Sequence, residues 1–323
     1  MTLKMQWKVP SGIQPRAQDF SFDLDRTLSS VVGIHSIIPS DAFTAETLGT
    51  ERAGNGVLID RGLVLTIGYL ITEAQTTWLH LGDGRVVEGY PLGFDQVTGF
   101  GLVQALASID LDPLNIGVSD KAEAGDRVIV GGMGGRAGAV AGEVVAKREF
   151  AGYWEYLLDE AIFTAPSHPN WGGTALISDR GDLLGIGSLQ LETDQAGAAK
   201  HLNMIVPIDL LRPVLDDLRK FGRVNKPARP WLGMFASEID GDVVAIGFAS
   251  NGPAMRGKLQ VGDTIVAVNG KRVAGHADFY RQVWALGAAG VAIPLTLRRE
   301  RHEIDVVLAS ADRADFLKRP QMH

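Results

Sequence analysis

A chain of 323 residues, 46% hydrophobic and 21% charged, has a globular composition and room for about two domains. Its net charge of −7 argues against nucleic acid as a partner, because such affinity comes largely from clustered Lys and Arg displacing counterions. Zero cysteines exclude disulfides, thiol nucleophiles and cysteine metal sites, and 39 glycines point to a turn-rich, all-β pattern.

The first residues, Met1 to Pro15, carry Lys4 and Lys8 but no apolar run of secretory-signal length. No later stretch approaches the roughly 18 apolar residues of a membrane span. As written the chain reads as soluble and cytoplasmic, or as periplasmic if a leader has been removed, and no membrane segment is expected. Short β-rich runs follow at 31–38, 56–59, 63–67, 77–81, 86–93, 101–105, 127–130, 140–147, 174–177, 183–189 and 201–205. Such spacing predicts a sandwich or barrels. Asp83-Gly84 between two runs predicts a two-residue hairpin turn with both residues at positive φ.

Leu211, Val214, Leu215 and Leu218 form one apolar helical face, and Pro213 suits only a first turn, so a helix is expected from about Arg212. A linker follows at 219–229, whose Arg219, Lys220, Arg223, Lys226 and Arg229 read as a solvated basic run. Beyond it, strands at 243–248, 264–268, 293–298 and 303–308, an Asn269-Gly270 turn and a helix near 277–286 describe a small α and β domain. No internal repeat or low-complexity tract is present.

Pro230-Trp231-Leu232-Gly233-Met234, Ser250-Asn251-Gly252-Pro253-Ala254 and the run from Gly262 to Gly270 together resemble a bacterial PDZ domain. Upstream, Gly54-Asn55-Gly56-Val57-Leu58-Ile59-Asp60, Leu65-Thr66, Gly125-Asp126-Arg127-Val128 and Gly172-Gly173 resemble the protease domain of the HtrA family of trypsin-like serine proteases. The resemblance implies a mainly β fold: a trypsin-like double six-stranded β-barrel followed by a small α+β PDZ domain. The expected boundaries are an N-terminal segment 1–24, the protease-like domain 25–218, the linker 219–229, the PDZ domain 230–310 and a tail 311–323. It further implies homo-oligomers, as trimers, through an N-terminal segment in which Phe20 and Phe22 could serve. In the PDZ domain, Leu232-Gly233-Met234 corresponds to the loop whose successive N–H groups form a nest for a peptide's terminal carboxylate.

The chain departs from the family where the chemistry is done. Tyr69 stands at the catalytic histidine, Gly99 at the aspartate and Trp171 at the serine. Pro169 replaces the glycine whose N–H serves the oxyanion, and proline has no N–H to give. A phenol with a pKa of roughly 10 is a poor base near neutrality, glycine cannot orient an imidazolium, and an indole cannot attack a carbonyl.

A displaced nucleophile could come from Ser167, His168 or Thr174, but adjacent residues on an extended strand point to opposite faces, so Ser167 and His168 cannot pair directly. The glycine-rich 131–138 segment reads as a plain connection between strands, since a dinucleotide turn must open a helix. His35, His80, His168, His201, His276, His302 and His323 lack metal-ligand spacing, so no metal and no cofactor is expected. Trp171 is read as a plug in the substrate cleft. On the PDZ helix, Phe279, Val283 and Leu286 share one face while Tyr280 and Trp284 share another, at i, i+4. The expected peptide-binding residues are therefore Trp231, Leu232, Gly233, Met234, Tyr280 and Trp284. The sequence reading is a catalytically inactive HtrA-like homologue, a peptide-binding, scaffold or chaperone-like module of protein quality control. The alternative is an active hydrolase with a non-standard catalytic arrangement.

Overall fold

Apolar runs flanked by turn residues pair into strands throughout the chain, whose computed structural model describes residues 8–195 and 198–319. Lys4 and His323 lie outside the described residues. Two compact units result, one holding the described residues up to Arg148, Glu160–Val224 and the short stretch from Lys318, the other Glu149–Asp159 and Asn225–Leu317.

In the first unit, β1 (Val31–Ile37), β2 (Glu51–Asp60), β3 (Leu63–Ile67), β4 (Thr76–His80), β5 (Val86–Phe94) and β6 (Phe100–Ala105) close a barrel in the order β1-β2-β3-β6-β5-β4. A second barrel, ordered β10-β11-β12-β9-β8-β7, uses β7 (Arg127–Gly131), β8 (Ala139–Gly152), β9 (Tyr156–Ala165), β10 (Ala175–Ser178), β11 (Leu183–Gln195) and β12 (Ala198–Pro207). β3 is apolar apart from Thr66 and is buried along its whole length. Val128, Val130, Val140, Val144, Ile162, Leu176 and Ile205 fill the second barrel.

Several elements differ from expectation for local reasons. β8 runs on past Lys147, and Gly142 does not break it. A side chain at Gly142 would come within 2.5 Å of the Ala165 carbonyl, so the glycine permits close packing. β9 was not anticipated, because Asp159 and Glu160 interrupt its apolar pattern. Asp83 and Gly84 do not form a two-residue turn: Leu81 N–H donates to Arg85, only Gly84 has positive φ (89°), and the Asp83 carboxylate accepts from the Arg85 amide. The short helices α1 (Leu24–Ser29), capped by Asp23, and α2 (Ala45–Leu48) carry no strong pattern. α3 covers Leu215–Phe221, starting after Pro213 rather than at Arg212; Ile208–Leu210 forms a separate 3-10 turn.

In the second unit a sheet ordered β13-β14-β15-β17-β18 is built from β13 (Met234–Ile239), β14 (Asp242–Phe248), β15 (Thr264–Val268), β17 (Ala292–Arg299) and β18 (His302–Ala309), with β16 (Lys271–Arg272) on β15. Helices α4 (Pro253–Arg256) and α5 (His276–Trp284) complete it. Pro253 sits at the first position of α4, where its missing N–H costs nothing. Asn269 and Gly270 both take positive φ (48° and 76°), as the turn reading requires. Leu232, Met234, Val243, Ile265, Phe279, Val283, Leu295 and Leu297 form the core, joined by Leu157 from the β8–β9 hairpin tip. The double six-stranded barrel and the small α+β unit are thus both present.

Candidate functional site

β3 ends in a 3-10 turn, Gly68–Leu70, that carries Tyr69. The Tyr69 hydroxyl donates to the Ser188 carbonyl at 2.9 Å. Burial pushes its pKa well up, with a polar contact from the Trp171 side chain acting weakly in the other direction. Gly68 N–H donates to the Gly99 carbonyl at 2.7 Å, tying the turn to the loop after β5. A Cβ on Gly172 would lie 2.5 Å from the Tyr69 hydroxyl. Tyr69, Gly99 and Trp171 therefore share one neighbourhood, in the first unit.

Buried Asp95, four residues before Gly99, spends its carboxylate on its own turn, accepting from the Val97 and Thr98 amides. The loop between β9 and β10 is pinned by His168, which is 1% exposed. Its Nδ1 accepts from the Asn170 amide at 3.0 Å. A backbone N–H can only donate, so the proton is on Nε2, which donates to the Gly138 carbonyl at 2.8 Å. Burial holds the His168 pKa below its ordinary value. With both ring nitrogens engaged, His168 has no lone pair left for a nucleophile, and Ser167 Oγ accepts instead from Gln190 at 2.9 Å. Thr174 Oγ1 donates to the Trp171 carbonyl at 2.8 Å. Trp171 is half-buried and Pro169 is exposed.

Three residues that sequence reasoning gave no role hold this region in place. Asn55 donates from Nδ2 to the Asn170 and Gly172 carbonyls and accepts from the Met133 amide, clamping the Trp171 loop to β2. Buried Arg52 donates to the Tyr69 and Thr72 carbonyls and to Thr44. Burial draws its pKa down to about 10, opposed by nearby Glu73. Glu73 in turn accepts from the Phe43, Thr44 and Lys318 amides. Removing either side chain would leave buried polar partners without a hydrogen bond, at about 1–3 kcal/mol for each group left unsatisfied. Nothing in the local sequence around Asn55, Arg52 or Glu73 signals these roles. Among the described residues no group of three or more His, Asp or Glu could hold a metal ion.

In the second unit the expected peptide-binding residues take different parts. Trp231 is buried, with its ring 4.9 Å from Phe316 and its backbone bridged to Ala311. The side chains of Leu232 and Met234 face the core, while their amides converge on Glu155 of the β8–β9 turn. Gly233, between them, has φ +66°. Tyr280 is 1% exposed and stacks on Trp284 at 5.5 Å, and Arg229 covers the Trp284 ring. Glu155 carried no motif and was missed.

A trypsin-like peptidase domain profile matches residues 54–186, and a PDZ domain profile matches 249–299. Serine endoprotease DegS of Salmonella typhimurium is 26% identical over 304 residues, covering 88% of this chain and 83% of that protein. A probable periplasmic serine endoprotease DegP-like of Pseudomonas fulva is 29% identical over 251 residues, and this chain spans 51% of its length. Among solved structures, HtrA-type protease AlgW with decapeptide superposes with a TM-score of 0.54 at 19% identity, over 92% of this chain and 98% of the other. A serine endoprotease from Yersinia pestis gives a TM-score of 0.53 at 22% identity, over 90% and 98%. No helix among the described residues is long and apolar enough to cross a membrane.

Proposed function

We propose that this chain, a trypsin-like peptidase domain joined to a PDZ domain and a relative of the HtrA-type serine proteases, binds peptides and protein segments without cutting them. The observation that carries the reading is the set of residues at the old catalytic positions: Tyr69, Gly99, Trp171 and Pro169. Triad loss alone removes on the order of 10⁶ in rate. The hydrogen bonding around them supports the reading. Tyr69 is a buried donor to a backbone carbonyl, and His168 is a neutral structural pin, so neither is placed to take a proton from a nucleophile. The half-buried Trp171 suits a plug in the cleft.

The relatives' own names describe serine endoproteases, which makes activity the first thing to test. A fluorophosphonate probe is expected to leave the intact protein unlabelled, and unfolded casein to survive incubation that an active relative does not allow. Stoichiometric labelling of any barrel serine would overturn the proposal in favour of a hydrolase with a non-standard arrangement. The name "periplasmic" in the second relative supports placing this module in that compartment. Binding there, as scaffold or chaperone, would fall to the PDZ domain and the plugged cleft. Assembly as a trimer through Phe20 and Phe22 belongs to the same proposal.

A further inference from the structure

The carboxylate nest of the PDZ domain already holds a side-chain carboxyl group. Both Glu155 oxygens accept from the Leu232 amide, at 3.0 and 3.1 Å, and Oε1 also accepts from the Met234 amide at 3.1 Å. The backbone just before Glu155 is bound as an added strand would be: the Ala236 amide of β13 donates to the Tyr153 carbonyl at 2.9 Å, and Tyr153 meets Phe235 edge-on at 5.8 Å. On the other side, α5 supplies Tyr280, whose hydroxyl donates to the Gly152 carbonyl at 2.8 Å and accepts from the Glu155 amide at 3.1 Å. His276 Nε2 lies 2.8 Å from the same hydroxyl.

Neighbouring contacts hold this turn in register. Leu157 enters the PDZ core, and Arg281 of α5 pairs with both Glu149 and Asp159. Glu155 itself adopts φ +60°, a left-handed conformation that a non-glycine residue takes only when its surroundings impose it. Residues 152–155 thus lie between β13 and α5 with a carboxyl group in the nest, the position that an extended peptide ending in a free carboxylate would take.

We infer that Glu155 is the resident ligand of this nest, and that a C-terminal peptide binds the PDZ domain only by displacing the Gly152–Glu155 turn. The inference rests on the reading that this groove takes peptides. Until displacement the nest is closed, and what opens it is a carboxylate presented on an extended strand.

The test uses the intact chain as wild type, Glu155→Ala and Glu155→Gln. The probes are fluorescent decapeptides ending in Val, Leu, Ile or Phe, each as free acid and as amide. Glu155→Ala is expected to bind free-acid peptides at least tenfold more tightly than wild type, with amides unchanged. Glu155→Gln, which keeps the side chain's size and an acceptor oxygen, is expected to gain several-fold and guards against a folding defect in the alanine variant. Equal free-acid affinity in all three proteins would overturn the self-ligand and leave the peptide reading intact. Absence of binding in all three would overturn the peptide reading, and amide hydrogen exchange then decides the self-ligand by itself. Leu232 and Met234 amides should be protected in wild type and exchange faster in Glu155→Ala; unchanged exchange would sink the inference.

Discussion

At Tyr69 the phenol does the reverse of what a catalytic base must do, since it gives its proton to the Ser188 carbonyl and burial makes that proton harder to lose. The consequence for repair is specific. Trp171→Ser alone should restore no measurable peptide hydrolysis, because the new hydroxyl would meet Tyr69 instead of an imidazole and Pro169 would still lack an oxyanion donor. Initial rates on casein and on a small ester substrate check this, and robust turnover by the single variant would mean that a base and an oxyanion hole already exist. The proposal that Tyr69, Gly99, Trp171 and Pro169 stand at the catalytic positions rests on the matching motifs that flank them and set the register. Arg52, Glu73, Asn55 and Glu155 could not, because their roles arise from partners between 8 and 245 residues away. The Ser167 and His168 reading needed a different reason than strand alternation. β9 ends at Ala165, and it is the hydrogen bonds of both His168 nitrogens that withdraw it from catalysis.

Strand positions were legible wherever an apolar run was bounded by turn residues, as in β1, β3 and β15. The β8–β9 hairpin was not. Charges in β9 and a glycine in β8 hid it, and its tip groups with the second unit. That tip has a pH signature. Burial pushes Glu155 up to about 7 from an ordinary value near 4.5, against the pull of the nest's backbone amides and Arg313 of the turn Arg313–Phe316. From α5 it faces Tyr280, whose pKa is raised, and His276, held below its ordinary value by burial. Because the folded pKa is the higher one, the folded protein holds a proton that the unfolded chain has released between about 4.5 and 7. The stability tied to that proton is complete below the lower value and fades as pH climbs to the upper one. The melting temperature of wild type minus that of Glu155→Gln should therefore fall from pH 5 to pH 7.5, while Tyr280, its pKa raised, keeps its proton throughout and His276, shifted by burial and Glu238, cancels in the difference. A pH-independent difference would show that Glu155 is not buried at the nest.

At the scale of the molecule, the succession of double barrel and PDZ domain was legible because each carries its own motifs. The assignment of residues 149–159 to the second unit was not, since no composition change marks it. The Phe20 and Phe22 rings lie 5.4 Å apart, with the Arg127 guanidinium over Phe20, and both rings are half-buried. Light scattering should give the mass of three chains for wild type and of one chain for the Phe20→Ala/Phe22→Ala double variant. A single-chain mass for wild type would exclude the trimer.

Glu155 is joined covalently to the nest it fills, so it competes at a fixed local concentration that no dilution lowers. For short connections that concentration is on the order of millimolar. A free peptide of ordinary micromolar affinity therefore meets a threshold: its apparent affinity falls by the fraction of molecules whose nest is empty. Scarce, monovalent C-termini would pass unnoticed. Where several chains are joined in one assembly, as the proposed trimer would join them, partners that present many tails at once would engage several grooves together, and the assembly would respond to crowding of chain ends more than to any one sequence.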